Sequence, residues 1–145
     1  MDKINEFIRR FTDKDIGTIK KIGRRYFLVD KKLEDFSLKI NKDIFSIGIF
    51  LGELKGEFKA TPALLEIIAK TSDVKVFVNR KSEWLFLCGR DIFEESIVKK
   101  NVDSGMVLVQ NEIDENIGLG VFLSKKNSNL LKNIIDKGSY LRRER

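Results

Sequence analysis

The side chains best able to do chemistry in this chain are cations, and they cluster where an aromatic and a glycine accompany them. The closing segment Asp136-Lys137-Gly138-Ser139-Tyr140-Leu141-Arg142-Arg143-Glu144-Arg145 places a glycine turn, an aromatic and three arginines behind the apolar run Leu130–Ile135. Guanidinium groups grip phosphate in a bidentate way and stack on bases, which lysine does less well. The same pattern also describes a frayed basic tail, and composition alone does not separate the two. Residues 119–145 hold seven bases against Asp136 and Glu144, and residues 18–32 hold six (Lys20, Lys21, Arg24, Arg25, Lys31, Lys32) against Asp30. Residues 84–118 reverse the sign, with three bases and seven acids. Charge in blocks gives basic faces on a mixed surface, and such faces favour a polyanion.

Most catalytic chemistry is removed by absence. The chain has no histidine and one cysteine, Cys88. Imidazole-based acid–base work, Ser-His-Asp or Cys-His nucleophiles and the common zinc sites therefore have no ligands to build on. Neither Asp13 with Asp15 nor Glu112 with Asp114 and Glu115 has the spacing of a calcium loop, so both read as solvated turns. Gly118-Leu119-Gly120 opens like a dinucleotide fingerprint, but Leu123 and the strand-like sequence after it break the pattern. Nothing resembles a Walker loop. The expectation is a protein that is not an enzyme, with no cofactor and no metal. The lone thiol fits a reducing compartment, and the acids of the first six residues do not suit a leader peptide, so a cytoplasmic setting is expected.

The elements that must carry these residues follow from periodicity. At 145 residues, 42% hydrophobic and 34% charged, the chain can bury a core, and no apolar run is long enough to span a bilayer. Ile4, Phe7, Ile8 and Phe11 form one helical stripe over 2–12. Arg25–Val29 reads as a strand, 31–39 as a brief helix, and 43–54 as a strand bent at Gly48 and Gly52. Thr61-Pro62 caps and starts a helix that ends at Thr71-Ser72-Asp73, and Val74–Val78 alternates as a half-buried strand. Asn79–Glu83 is the best linker candidate and divides the chain into 1–83 and 84–145. Beyond it, short strands at Trp84–Cys88, Ile97-Val98, Met106–Val109, Gly118–Leu123 and Leu130–Ile135 argue a small barrel, with a helical turn at Asp91–Glu95. In the apolar run Trp84–Cys88, Trp84 is expected in a core or interface and Cys88 as a buried, inert thiol.

The second half resembles a PUA domain, the RNA-binding pseudo-barrel named after pseudouridine synthases and archaeosine transglycosylases. The residues carrying the likeness are Phe86–Phe93, Ile117–Val121 and the ending Asp136-x-Gly138-x-Tyr140-Leu141-Arg142. In the first half, Phe45–Leu54, Phe58-Lys59, the helix Ala63–Ala69 and the strand Val74–Val78 are similar to the Nip-seven ribosome-biogenesis factors, in order, over about residues 25–145. The resemblance implies an α+β amino-terminal domain with a mostly antiparallel sheet, followed by a PUA-type β pseudo-barrel. It also implies RNA binding in large-subunit ribosomal RNA processing, alongside ribosome assembly proteins and without catalysis. In archaeal relatives the basic end of the PUA domain is the RNA contact, and those positions correspond to Arg142 and Arg143, with Arg145 beyond them. A monomer is expected, nucleolar if the source is a eukaryote.

The site expected is thus one basic strip: Lys132, Arg142, Arg143 and Arg145 with Lys125 and Lys126, and Tyr140 as a stacking or packing aromatic. Two other readings stay open. One is an RNA-recognition subunit serving a modification enzyme. The other is a protein-binding adaptor whose first domain presents Arg9, Arg10, Lys20, Lys21, Arg24 and Arg25 to an acidic partner.

Overall fold

Asp2 opens the first helix, its carboxylate accepting the Lys3 N–H, and α1 (Lys3–Arg9) buries the expected stripe of Ile4, Phe7 and Ile8. The computed structural model of the chain describes residues 2–39, 47–123 and 130–143, and the chain divides into two units, Met1–Ile68 and Ala69–Arg145.

In the first unit, β1 (Thr18–Ile22), β2 (Arg25–Val29), β3 (Ile49–Lys55) and β4 (Glu57–Ala60) form an antiparallel sheet in sequential order. α2 (Lys31–Lys39) follows β2, and α3 (Pro62–Ala69) follows β4. Aromatic side chains tie α1 to the sheet: Phe7 meets Phe58 edge-on at 5.3 Å between ring centres, and Phe58 meets Tyr26 at 5.7 Å. The Tyr26 hydroxyl, otherwise buried, donates to Asp2 at 2.8 Å. Phe27, Val29 and Ile47 make a further core with Ile22 and Leu33 against it. α3 starts as its sequence requires, with the Thr61 hydroxyl accepting the Leu64 N–H at 3.3 Å and Pro62 at the first helical position. Leu64, Leu65 and Ile68 are fully buried.

The second unit is built on a six-stranded sheet in the order β6-β10-β9-β8-β5-β7. Its strands are β5 (Lys75–Val78), β6 (Ile92–Phe93), β7 (Ile97–Lys100), β8 (Gly105–Gln110), β9 (Asn116–Phe122) and β10 (Leu130–Asp136). Every pairing is antiparallel except β5 with β8, which run parallel with Val76 opposite Val109. A parallel pair needs a long crossover. Here the crossover contains α4 (Arg80–Leu87), β6, a 3-10 turn at Glu94–Ser96, and β7. The core gathers Val76, Val78, Phe86, Ile92, Val107, Val109, Ile117 and Leu131. A last helix, α5 (Gly138–Arg143), follows β10.

The structure corrects the sequence reading at several places. Asn79–Glu83 is not a linker, and Trp84–Cys88 is not a strand. Asn79 is a helix cap whose side chain accepts the Ser82 N–H at 2.9 Å, and Arg80–Leu87 is α4, with Ser82 and Phe86 buried one turn apart. The boundary expected after Glu83 falls inside this helix. β5 pairs with β7 and β8, so the second unit takes in the strand as well as the helix. The helical turn expected at Asp91–Glu95 is β6 followed by the 3-10 turn. Two strands went unread: β1, whose basic residues mask its alternation, and the four-residue β4. Among the described residues, no helix is long and apolar enough to cross a membrane.

Candidate nucleic-acid interface

Two of the three segments that carry the PUA likeness, Phe86–Phe93 and Asp136–Arg142, meet at one joint. α4 ends against β10 and α5, and the carbonyls left open by its last turn need donors. Asn133 satisfies one, its side-chain amide donating to the Phe86 carbonyl at 3.0 Å, and also donates to the Arg90 carbonyl just beyond the helix at 3.3 Å. Its backbone N–H donates to Asp91 at 2.8 Å, which continues the β10 edge beyond the short β6. Arg142, reaching back from α5, donates to the Leu87 carbonyl through one guanidinium nitrogen. Its other terminal nitrogen donates to both carboxylate oxygens of Asp136, at 3.3 and 3.4 Å.

Asp136 is the hub of this joint. Its side chain is only 7% exposed, and besides Arg142 it accepts the Ser139 N–H at 2.8 Å, capping the start of α5. The Ser139 hydroxyl donates to the Asp136 carbonyl at 2.8 Å. Position 138 must be glycine: a Cβ there would stand 1.8 Å from the Leu87 carbonyl oxygen, far inside contact distance. The Asp136-x-Gly138…Arg142 ending is therefore a device that fastens α5 to the end of α4. A cation near a helix carboxy terminus also opposes the negative end of the helix dipole.

This changes the part expected of Arg142. Its guanidinium is engaged with its own chain, so it is a structural residue whose remaining exposed edge, at 46% side-chain exposure, is what solvent or a ligand meets. Lys132 stands exposed on β10, without a carboxylate partner among the described residues. Arg143 and Tyr140 lie in α5, while Lys125, Lys126 and Arg145 fall outside the described residues. Of the expected strip, Lys132, the third residue of β10, is the cation whose exposure the described residues show directly besides Arg142.

Three cations and one aromatic escaped the sequence reading. Arg80 and Lys81 are exposed at the start of α4, and Arg90 is exposed beside Asn133 at the joint; none has a carboxylate partner among the described residues. Trp84 sits four residues after Arg80, on the same side of α4 by helical spacing, and is 66% exposed rather than part of the core. Cys88, at the carboxy-terminal cap of α4, is exposed too rather than buried. The signal for all of this was Asn79: with a cap at 79, helical periodicity buries Ser82 and Phe86 and turns Trp84 outward. The acidic turn Asn111–Glu115 between β8 and β9 is self-contained, with Lys75 paired to Asp114 at 3.1 Å and Asn111 bonded to Glu83 and Glu115.

Comparison with known proteins agrees with this geometry. Residues 74–145 match the family model described as the UPF0113 PUA domain. A UPF0113 protein of Archaeoglobus fulgidus is 32% identical over 108 residues, 68% of this chain, and the matched part spans 62% of the length of that curated relative. A conserved PUA domain protein from Thermoplasma acidophilum has the same fold, with a TM-score of 0.58 over 99% of this chain and 96% of that one at 18% identity. The second unit is a PUA-type domain, and its six strands are the nearly closed pseudo-barrel of that fold.

Proposed function

We propose that this protein is a non-catalytic RNA-binding factor that acts in large-subunit ribosome biogenesis and holds RNA along α4 and β10 of its PUA-type domain. One observation carries the RNA part: the domain displays Arg80, Lys81, Arg90 and Lys132, all exposed and without a carboxylate partner among the described residues, with the exposed ring of Trp84 among them in sequence. Phosphate contacts from such cations supply affinity and little sequence discrimination, while an exposed indole offers a stacking surface that any base fits. The assembly role rests on the resemblance of residues 25–145 to the Nip-seven factors, and a cytoplasmic setting goes with it.

Trp84 is the chain's single tryptophan, so its fluorescence reports the interface directly. Titration with single-stranded ribosomal RNA fragments is expected to quench it, and Lys132→Glu with Arg90→Glu is expected to weaken binding at least tenfold with an unchanged melting temperature. Unquenched fluorescence, together with full affinity in the double variant, would remove α4 and β10 as the contact. Pre-ribosomal particles recovered with the tagged protein support the assembly role; recovery of a modification enzyme instead overturns it.

A further inference from the structure

We propose a second RNA contact on the first unit, at the end of its sheet where the β1–β2 and β3–β4 turns stand together. This rests on the RNA-binding reading above and adds a separate site. Ile22 and Arg25 are paired, so Gly23 and Arg24 alone join β1 to β2. Gly23 takes a φ of 61° and Arg24 keeps a negative φ, the pattern of a two-residue hairpin turn with glycine first. Arg24 is therefore at the tip, and it is exposed. The Leu54 N–H donates to the Arg24 carbonyl at 2.8 Å, which brings the end of β3, and hence Lys55 and the Gly56 turn, against the same tip.

Across this end the register runs Ile22, Arg25, Glu53, Lys59. Lys21, Arg24, Arg25, Lys55 and Lys59 are all exposed there, against two acids, Glu53 and Glu57. Glu53 is already paired with Lys55 at 3.8 Å, and among the described residues Lys21, Arg24, Arg25 and Lys59 have no carboxylate partner. Two of the cations lie against rings, one on each face of this end: the Arg25 guanidinium is 5.8 Å from the centre of Phe50, and the Lys21 ammonium 5.5 Å from that of Tyr26. Cations held over rings keep their stems down and their charged heads outward.

A phosphate backbone suits this end better than an acidic protein does. Protein interfaces take most of their energy from an apolar or aromatic anchor at the centre of the contact. At this end the exposed side chains are charged except for Phe50, 38% exposed, and that ring has Arg25 over it rather than standing open as an anchor. Cations without an anchor bind mainly by counterion release, which a polyphosphate supplies in plenty.

The test uses the full chain, a labelled oligouridylate and the salt dependence of its binding. The variant Lys21→Gln with Arg24→Gln is expected to melt like the parent and to flatten the slope of log K against log salt by about 1.4, two cations at 0.7 each for a single strand. A parental slope in this variant, while Lys132→Gln with Arg90→Gln flattens it, overturns the hairpin contact and leaves the PUA-type interface standing. Absence of salt-dependent RNA binding in the parent itself overturns both. If the hairpin variant keeps its RNA slope but loses binding to polyglutamate, the face belongs to an acidic protein and the RNA contact is wrong. Should the double variant fail to fold, Arg24→Gln alone, at the tip, is expected to show about half the change.

Discussion

Arg142 shows how a residue with the right chemistry for RNA is taken up by the fold. Its guanidinium bridges the buried Asp136 carboxylate and the open Leu87 carbonyl. Truncation leaves a buried carboxylate without its cation, a loss of about 1–3 kcal/mol. Arg142→Ala is accordingly expected to lower the melting temperature clearly, and Arg142→Lys to restore only part, because an ammonium does not reproduce the planar fork. An unchanged melting temperature in Arg142→Ala, with RNA binding lost, would return Arg142 to the interface. Tyr26 offers a second test at this scale. Burial first, then the hydrogen bond and charge of Asp2, push its hydroxyl up to about 12. The folded state therefore holds that proton more tightly than the unfolded chain. The stabilisation is complete below about pH 10 and is lost as pH rises through about 12. Denaturant midpoints measured across this range should fall in the parent and stay flatter in Tyr26→Phe.

At the scale of elements, the acidic β8–β9 turn carries its own pH signature. The hydrogen bond from Gln110 and the charge and hydrogen bond of Lys75 hold the Asp114 carboxyl below its usual range, against an opposing effect of burial. Its contribution is present above about pH 4 and disappears as pH falls through the depressed folded value. Asp114→Asn should remove that part of the acid dependence, and at neutral pH should cost less than about 1 kcal/mol because the carboxylate is half exposed. Among the helices, α3 was legible from both its period and its cap of Thr61 and Pro62, α1 and α2 from apolar spacing alone, and the strands β2, β5, β8, β9 and β10 as short apolar runs. α4 was misread because five consecutive apolar residues fit a strand as well as a helix, and the capping role of Asn79 was taken for a linker. The interface was legible as charge but not as geometry. That Arg142 would face Asp136 depends on Gly138 meeting Leu87, a contact between distant positions of the chain that no local pattern encodes.

For the molecule as a whole, cations on two separate units predict a steep response to ionic strength. Three to five phosphates neutralised on single-stranded RNA correspond to a slope of log K against log salt of roughly −2 to −3.5. Filter-binding titrations read it directly, and a slope near zero would exclude an ionic mechanism. The seven acids of residues 84–118 set a limit on such binding, since Glu112, Asp114 and Glu115 sit on the turn between two central strands and repel a polyanion from that side.

The strand order of the PUA-type sheet has one more outcome. Its outermost members are β6, two residues long, and β7, which ends in Lys99 and Lys100. A border so short on one side, and so charged on the other, gives a neighbouring chain little to zip onto. At high concentration copies of this protein should therefore stay apart, and exchanging Lys99 and Lys100 for threonine should bring turbidity and thioflavin staining that the parent lacks.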